Sequence, residues 1–349
     1  MAAVVAGASL LAACEEPAAR LPEAQVRLDQ TTVSGISAGG YMAGQFQMAH
    51  ARDVIGAGII AGGPYGCAES LYADVMPGPG GAFLNLSKAI NGCMLNALQQ
   101  NWGVPDPAQL AKRAAELAQQ GKIDPVSDVR GDRIYLFTGT QDRTVVPAIV
   151  AAAADYYTAL GVPQEQVAFV RNVPAGHAFV TDGKGEVCDE TAAPYIVNCR
   201  YDQAGALLNH LYGPLSPRVS EPAGQLDTFD QGEFVKDLGD HGLGDAGLVY
   251  IPPQCRASSD CRVHVVFHGC AQNKGSIGTT FATDTGYLPW ADSNALIVLF
   301  PQVKRMPANP QACWDWWGYT GREFLTQAGP QIIAVRRMLE RLAAPRSMI

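Results

Sequence analysis

Charge is scarce in this chain. Asp, Glu, Lys and Arg together make up 17% of its 349 residues. No cluster of Lys and Arg is present that could follow a phosphate backbone, and 33 acidic against 25 basic side chains leave a net charge of -8. Nucleic acid is therefore not an expected partner. Internal repeats and low-complexity tracts are also missing, which argues against a solenoid and against extended disorder. There is no C-x-x-C, and the six histidines are scattered. Neither a metal nor a cofactor is expected.

Apolar residues, by contrast, are plentiful at 48%, enough for one large core. The apolar run within Met1 to Cys14 is too short to cross a bilayer. It ends in Leu11-Ala12-Ala13-Cys14, a lipobox-like sequence, and reads as an export signal with Cys14 as the lipid-bearing residue. No Lys or Arg precedes it, which departs from the usual signal pattern. The expected organisation is a signal over 1–14, a short linker over 15–25 and a single catalytic domain over 26–349, exported or held at the cell surface. Any membrane attachment would run through Cys14, and the domain is expected to act as a monomer.

Nine cysteines fit an oxidising compartment. Without Cys14 they form sequence-neighbouring pairs: Cys67 with Cys93, Cys188 with Cys199, Cys255 with Cys261, Cys270 with Cys313. Each pair brackets a loop rich in Gly, Pro, Asp or Ser. Eight cysteines allow many other connectivities, so this set is one choice among them.

The chemistry begins at Gly35-Ile36-Ser37-Ala38-Gly39, a G-x-S-x-G element between a strand-like run, Val26 to Ile36, and a helix-like run, Tyr41 to Ala51. A hydroxyl exposed on a sharp strand-to-helix turn needs small neighbours, and the amide that follows it points at a developing oxyanion. Ser37 is thus the candidate nucleophile, although a glycine-rich turn without chemistry would read similarly. A serine needs a base, and the base needs an acid to orient it. Asp142 follows the strand Arg133 to Thr138 and precedes an alanine-rich helix running to about Leu160; it would also suit the helix N-cap. His177 follows a strand at Gln166 to Val170, on a loop containing Gly176. His50 and His210 lie on helix-like runs, His264 inside the strand Val263 to Phe267, and His241 in a polar loop. His177 is accordingly the expected general base, giving the chain order Ser37, Asp142, His177 found in α/β-hydrolases.

The second oxyanion donor of such enzymes normally comes from an H-G turn ahead of the nucleophile. Here His268-Gly269-Cys270 stands after His177 and follows the strand Val263 to Phe267. Moving the segment from about Gly247 onward in front of residue 26 restores the ordinary order. The fold expected is therefore a circularly permuted α/β-hydrolase with a mostly parallel sheet flanked by helices. The backbone N–H groups of Ala38 and Cys270 would form the oxyanion hole, with His268 a structural turn residue.

Together the segments Ser34 to Met42, Ala61 to Cys67, the Asp142 and His177 loops, His268-Gly269-Cys270 and Cys313-Trp314-Asp315-Trp316-Trp317-Gly318-Tyr319 resemble the extracellular poly(3-hydroxybutyrate) depolymerases of the single-domain, circularly permuted type. The resemblance covers nearly all of Leu28 to Leu342. It implies hydrolysis of an aliphatic polyester or its oligomers through a serine acyl-enzyme, with Ser37, Asp142 and His177 matching the triad and the amides of Ala38 and Cys270 the oxyanion hole. Trp314, Trp316 and Trp317, with Tyr41, are expected to line the substrate subsites, since flat apolar rings pack on alkyl ester units without demanding charge; core packing would use the same residues. The stretch from Gly66 to Asn101 is expected to be a loop insertion shaping the crevice. A related carboxylesterase acting on feruloyl or acetyl esters shares the H-G-C turn and a nearby C-W. A non-catalytic surface lipoprotein that binds polymer or a protein is the alternative outside enzymes.

Overall fold

The computed structural model describes residues 18–70, 86, 89–95, 105–257 and 260–346. The signal segment, Cys14 and the Pro77 to Gly81 stretch of the insertion lie outside them.

Eleven strands are found among the described residues. β1 (Thr31–Ile36), β2 (Val54–Ile60), β3 (Arg133–Gly139) and β4 (Val167–Val173) are followed by three short strands, β5 (Phe179–Thr181), β6 (Glu186–Val187) and β7 (Ile196–Asn198). The last group is β8 (Gln225–Asp230), β9 (Ala246–Ile251), β10 (Arg262–Phe267) and β11 (Leu296–Phe300). Eight of them form one sheet in the order β4-β3-β2-β1-β10-β11-β9-β8, and β5-β7-β6 make a small separate sheet. Pairing is parallel from β4 across to β11 and antiparallel on both sides of β9.

The sequence reads as it does because the central strands are buried on both faces. β1, β10 and β11 are near-continuous apolar or small-residue runs, the pattern of a parallel sheet covered by helices. Successive side chains nevertheless serve different layers. Ile134, Leu136, Val263, Val265, Ile297 and Leu299 join a core with the helices Ala38–Ala49, Pro107–Gln119, Pro147–Leu160 and Pro330–Ala343. Tyr135, Phe137, Val266, Val298 and Phe300 join a second core with the helices Gln203–Tyr212 and Tyr287–Ser293 on the other face. Each fully buried aliphatic or aromatic side chain of this kind contributes about 1.5–3 kcal/mol.

Read from β8 to the end of the chain and then on from its start, the eight strands lie in the spatial order 1-2-4-3-5-6-7-8 of an α/β-hydrolase, which is the permutation expected. The break lies earlier than Gly247, however, because β8 pairs along its whole length with β9 and belongs to the displaced half. Its polar alternation, Gln225-Leu226-Asp227-Thr228, hides a strand that sits at the sheet edge. The two ends of the described residues abut: the Leu342 carbonyl at the end of helix Pro330–Ala343 accepts from the N–H groups of Ala24 (3.0 Å) and Val26 (3.2 Å). Adjacent termini are what make a permuted connection tolerable. The described part of the expected linker, 18–25, is consequently no linker. Leu21 and Ala24 are buried, and Ala19 bridges Phe229 of β8.

Four disulfides join the neighbouring pairs Cys67–Cys93, Cys188–Cys199, Cys255–Cys261 and Cys270–Cys313.

Candidate active site

Ser37 sits between β1 and the helix Ala38–Ala49 with φ 58° and ψ −123°, a conformation L-residues seldom adopt. Its environment explains the flanking glycines. A Cβ on Gly35 would lie 2.2 Å from the Gly39 carbonyl oxygen, and one on Gly39 would lie 2.2 Å from that of Phe267. The Ser37 N–H donates to Ile60 O at the end of β2, 2.8 Å away, which pins the turn over the sheet. The helix after it is buried along all twelve residues, so it packs flat against β1 and β2.

β3 and β4 deliver the other two side chains at the same sheet end. Past β3, Asp142 Oδ1 accepts the N–H groups of Thr144 (2.8 Å) and Val145 (3.0 Å), while Oδ2 faces His177 Nδ1 at 2.8 Å. Asp142 is not the helix N-cap, since that helix starts at Pro147 after Val146. A carboxylate only accepts, so Nδ1 carries the proton and donates it, and the lone pair stays on Nε2. His177 is held from behind as well: its backbone N–H donates to Thr191 Oγ1 (2.9 Å), on the loop closed by Cys188–Cys199. The β3 and β4 loops are laced together by Thr140 N–H to Val173 O and Gln141 N–H to Ala175 O.

The turn after β10 lies against Ser37. A Cβ on Gly269 would be 3.5 Å from Ser37 Cβ. His268 is fully buried, and burial lowers its pKa to about 4. Neutral, it donates from Nδ1 to Gly269 O (2.7 Å) and accepts the Val303 N–H at Nε2 (3.3 Å), which is a turn residue's work. Cys270 is tied to Cys313. Among the described residues, no acceptor engages the N–H of Ala38 or that of Cys270.

Ser37, His177, Gly269 and Cys270 line one cavity of about 200 Å³, together with Met94, Thr144, Thr191, Tyr195, Gln272 and Gln311. Ser37 and His177 are 9% and 8% exposed, reachable yet shielded. Two roomier hollows, of about 300 and 380 Å³, lie elsewhere and contain no histidine.

The tryptophans are elsewhere. Trp314, Trp316 and Trp317 are 0%, 4% and 3% exposed, belong to the main core and do not line this cavity. Trp314 packs edge-on to Phe267, Trp316 stacks on Tyr41 with ring centroids 4.6 Å apart, and Trp317 packs on Trp316 and Tyr319. Tyr41 donates to Cys93 O and is itself buried. Asp315 knots the turn beneath them: Oδ1 accepts the N–H groups of Trp317, Gly318 and Tyr319, and Oδ2 the N–H and hydroxyl of Thr320. The subsite role expected of these four aromatics is therefore corrected to core packing. The lining residues with no expected role are Met94, Thr144, Thr191, Tyr195, Gln272 and Gln311, and the Cys188 and Cys199 bracket hinted only at Thr191 and Tyr195.

No family model matches the chain. It is 38% identical over 332 residues to the poly(3-hydroxybutyrate) depolymerase of Delftia acidovorans, covering 94% of this chain and 62% of that protein, so it spans less than two thirds of that relative. It is 32% identical to the polyhydroxybutyrate depolymerase of Talaromyces funiculosus, covering 93% of each. Among solved structures it resembles the PHB depolymerase from Penicillium funiculosum, with a TM-score of 0.81 at 31% identity. It also resembles a serine-to-alanine PHB depolymerase variant complexed with an R3HB trimer, with a TM-score of 0.82 at 30% identity. Each match covers 93% of this chain and 98% of the other.

Proposed function

Because the chain belongs to the poly(3-hydroxybutyrate) depolymerase family of carboxylic ester hydrolases, we propose that it cleaves poly(3-hydroxybutyrate) or a similar short-chain polyhydroxyalkanoate by acyl transfer at Ser37. The observation that carries this is the strained Ser37 elbow sharing one cavity with a histidine whose Nδ1 is bonded to Asp142. Ser37 Oγ attacks the ester carbonyl carbon while its proton passes to His177 Nε2. The negative charge that develops on the carbonyl oxygen is met by the N–H groups of Ala38 and Cys270. As the ester C–O bond breaks, Nε2 returns the proton to the departing hydroxyl end of the polymer. Water then repeats the sequence on the acyl-enzyme, with Asp142 holding the imidazole in one tautomer throughout.

The four disulfides support action outside the reducing cytosol. Export through the first fourteen residues and lipid attachment at Cys14 are part of this reading. A phosphonate ester that traps activated serines tests the assignment. It should leave one covalent adduct on the peptide carrying Ser37 and none in Ser37→Ala. Labelling of Ser34 or another serine instead would overturn it. Turnover of methyl ferulate with none of a polyhydroxybutyrate film would put the substrate among feruloyl esters.

A further inference from the structure

Gln272 stands two residues beyond Cys270 and is 2% exposed, yet every polar atom of its side chain is engaged. Its Oε1 accepts the Gly269 N–H at 2.8 Å. Its Nε2 donates to two carbonyls, Pro194 O at 3.0 Å and Tyr195 O at 3.1 Å. Tyr195 O also accepts the N–H of Phe179, two residues after His177. One side chain therefore joins the turn that carries the Cys270 amide to the loop that carries His177. Thr191, which holds the His177 backbone N–H, lies on the same Cys188–Cys199 loop as Pro194 and Tyr195.

The other bonds given above for the turn, including Val303 N–H to His268 and the Cys270–Cys313 disulfide, do not run to the His177 loop. The Gly269 carbonyl is taken by His268 Nδ1–H and the Gln272 N–H, and the Ala271 N–H by Gln311 O. These set the shape of the turn but not its distance from His177. Gln272 crosses that gap, and a Cβ on Gly269 would come within 2.7 Å of Oε1, so the fit leaves no slack.

The geometry points to Gln272 as a positioning residue that keeps the Cys270 oxyanion donor in register with His177, without touching substrate chemistry itself. This rests on the serine-esterase reading above. Interactions of this kind act on the transition state, because a donor displaced by about 1 Å costs on the order of 10²-fold in rate while ground-state contacts persist.

Two substitutions test it on a small soluble ester, p-nitrophenyl butyrate. Gln272→Met keeps the length and removes all three hydrogen bonds; kcat should fall about 10²-fold with KM within about threefold. Gln272→Glu gives a pH readout that a merely structural residue would not. When protonated, the acid can accept from Gly269 and donate to Tyr195 O as glutamine does; when ionised, it faces two carbonyl oxygens with no proton to give them. The ratio of Gln272→Glu to wild-type kcat should therefore rise as pH falls. A pH-independent ratio overturns the inference, even if Gln272→Met does not fold. So does a Gln272→Met kcat within twofold of wild type, or a loss confined to KM. Failure of the underlying reading would look different: Ser37→Ala would retain full rate. If only this inference fails, Ser37→Ala is inactive and the Gln272 variants are not.

Discussion

In the proposed mechanism Ser37 and His177 act through one proton, so removing either would leave only oxyanion stabilisation and binding. Ser37→Ala and His177→Ala should each lower kcat on p-nitrophenyl butyrate by at least about 10³-fold, with thermal unfolding unchanged within a few degrees. Asp142→Asn should be severe too, at about 10⁴-fold, because an amide at Oδ2 would donate and turn the imidazole to the wrong tautomer. Trp314, Trp316 and Trp317 belong to a different class. Truncating any of them to Ala should cost about 3–5 kcal/mol of stability. Activity on film and on the small ester should then fall together, as unfolded protein accumulates; a selective loss on film at unchanged melting temperature would return that tryptophan to the substrate path. The difference in legibility between these residues is physical. Ser37 announces itself because a strained elbow demands small neighbours at fixed spacing, and Asp142 and His177 because each follows a strand. An aromatic cluster carries no such mark, since a Trp packed on Tyr41 and a Trp packed on polymer have the same composition and spacing.

At the level of elements, the parallel strands were readable as apolar runs, and β3, β10 and the end of the helix Pro147–Leu160 lie within a residue of expectation. β8 was not, because an edge strand with polar side chains looks like a loop. Nor was the small sheet β5-β7-β6, whose strands of two or three residues are too short to show a period. That sheet is held by Cys188–Cys199 and props His177 and Tyr195. The double variant Cys188→Ser/Cys199→Ser should lose about 2–3 kcal/mol in a chain-entropy view of so short a loop. Its kcat should fall more than its KM changes, because the loosened loop is the one behind His177, the proposed base. A variant with wild-type kcat at a lowered melting temperature would show that the bridge stabilises without positioning.

Across the whole molecule, buried histidines set the response to acid. Desolvation holds His264 at about 3, and His268 and His50 at about 4, against 6.5 when unfolded. Their neutral forms are needed: His264 bridges the hydroxyls of Thr32 and Ser34, and Ser34 continues the chain to Tyr287. A depressed histidine contributes its full stability above pH 6.5 and loses it as pH falls toward the folded value. Two buried carboxyls work oppositely. Burial raises Asp132 to about 8 and raises Asp315 as well, so each favours the folded state less as pH rises. Three histidines against Asp132 leave unfolding proton-absorbing between about pH 4 and 6.5, at about 1.4 kcal/mol per pH unit for each net proton. Above pH 6.5 only the carboxyls act. Chemical denaturation across pH 4 to 8 should show maximal stability near pH 6.5, and a flat acid limb would contradict these burial effects. The permutation, legible from the misplaced H-G-C turn, leaves β10 beside β1, so the site draws its residues from both halves of the chain. The central claim, polyester cleavage through Ser37, is tested most directly by incubating amorphous poly(3-hydroxybutyrate) with wild type and with Ser37→Ala and quantifying soluble hydroxybutyrate products. Wild type should release them steadily and the variant at no more than about a thousandth of that rate. Equal release by both, or none by a folded wild type that still hydrolyses small esters, would contradict it.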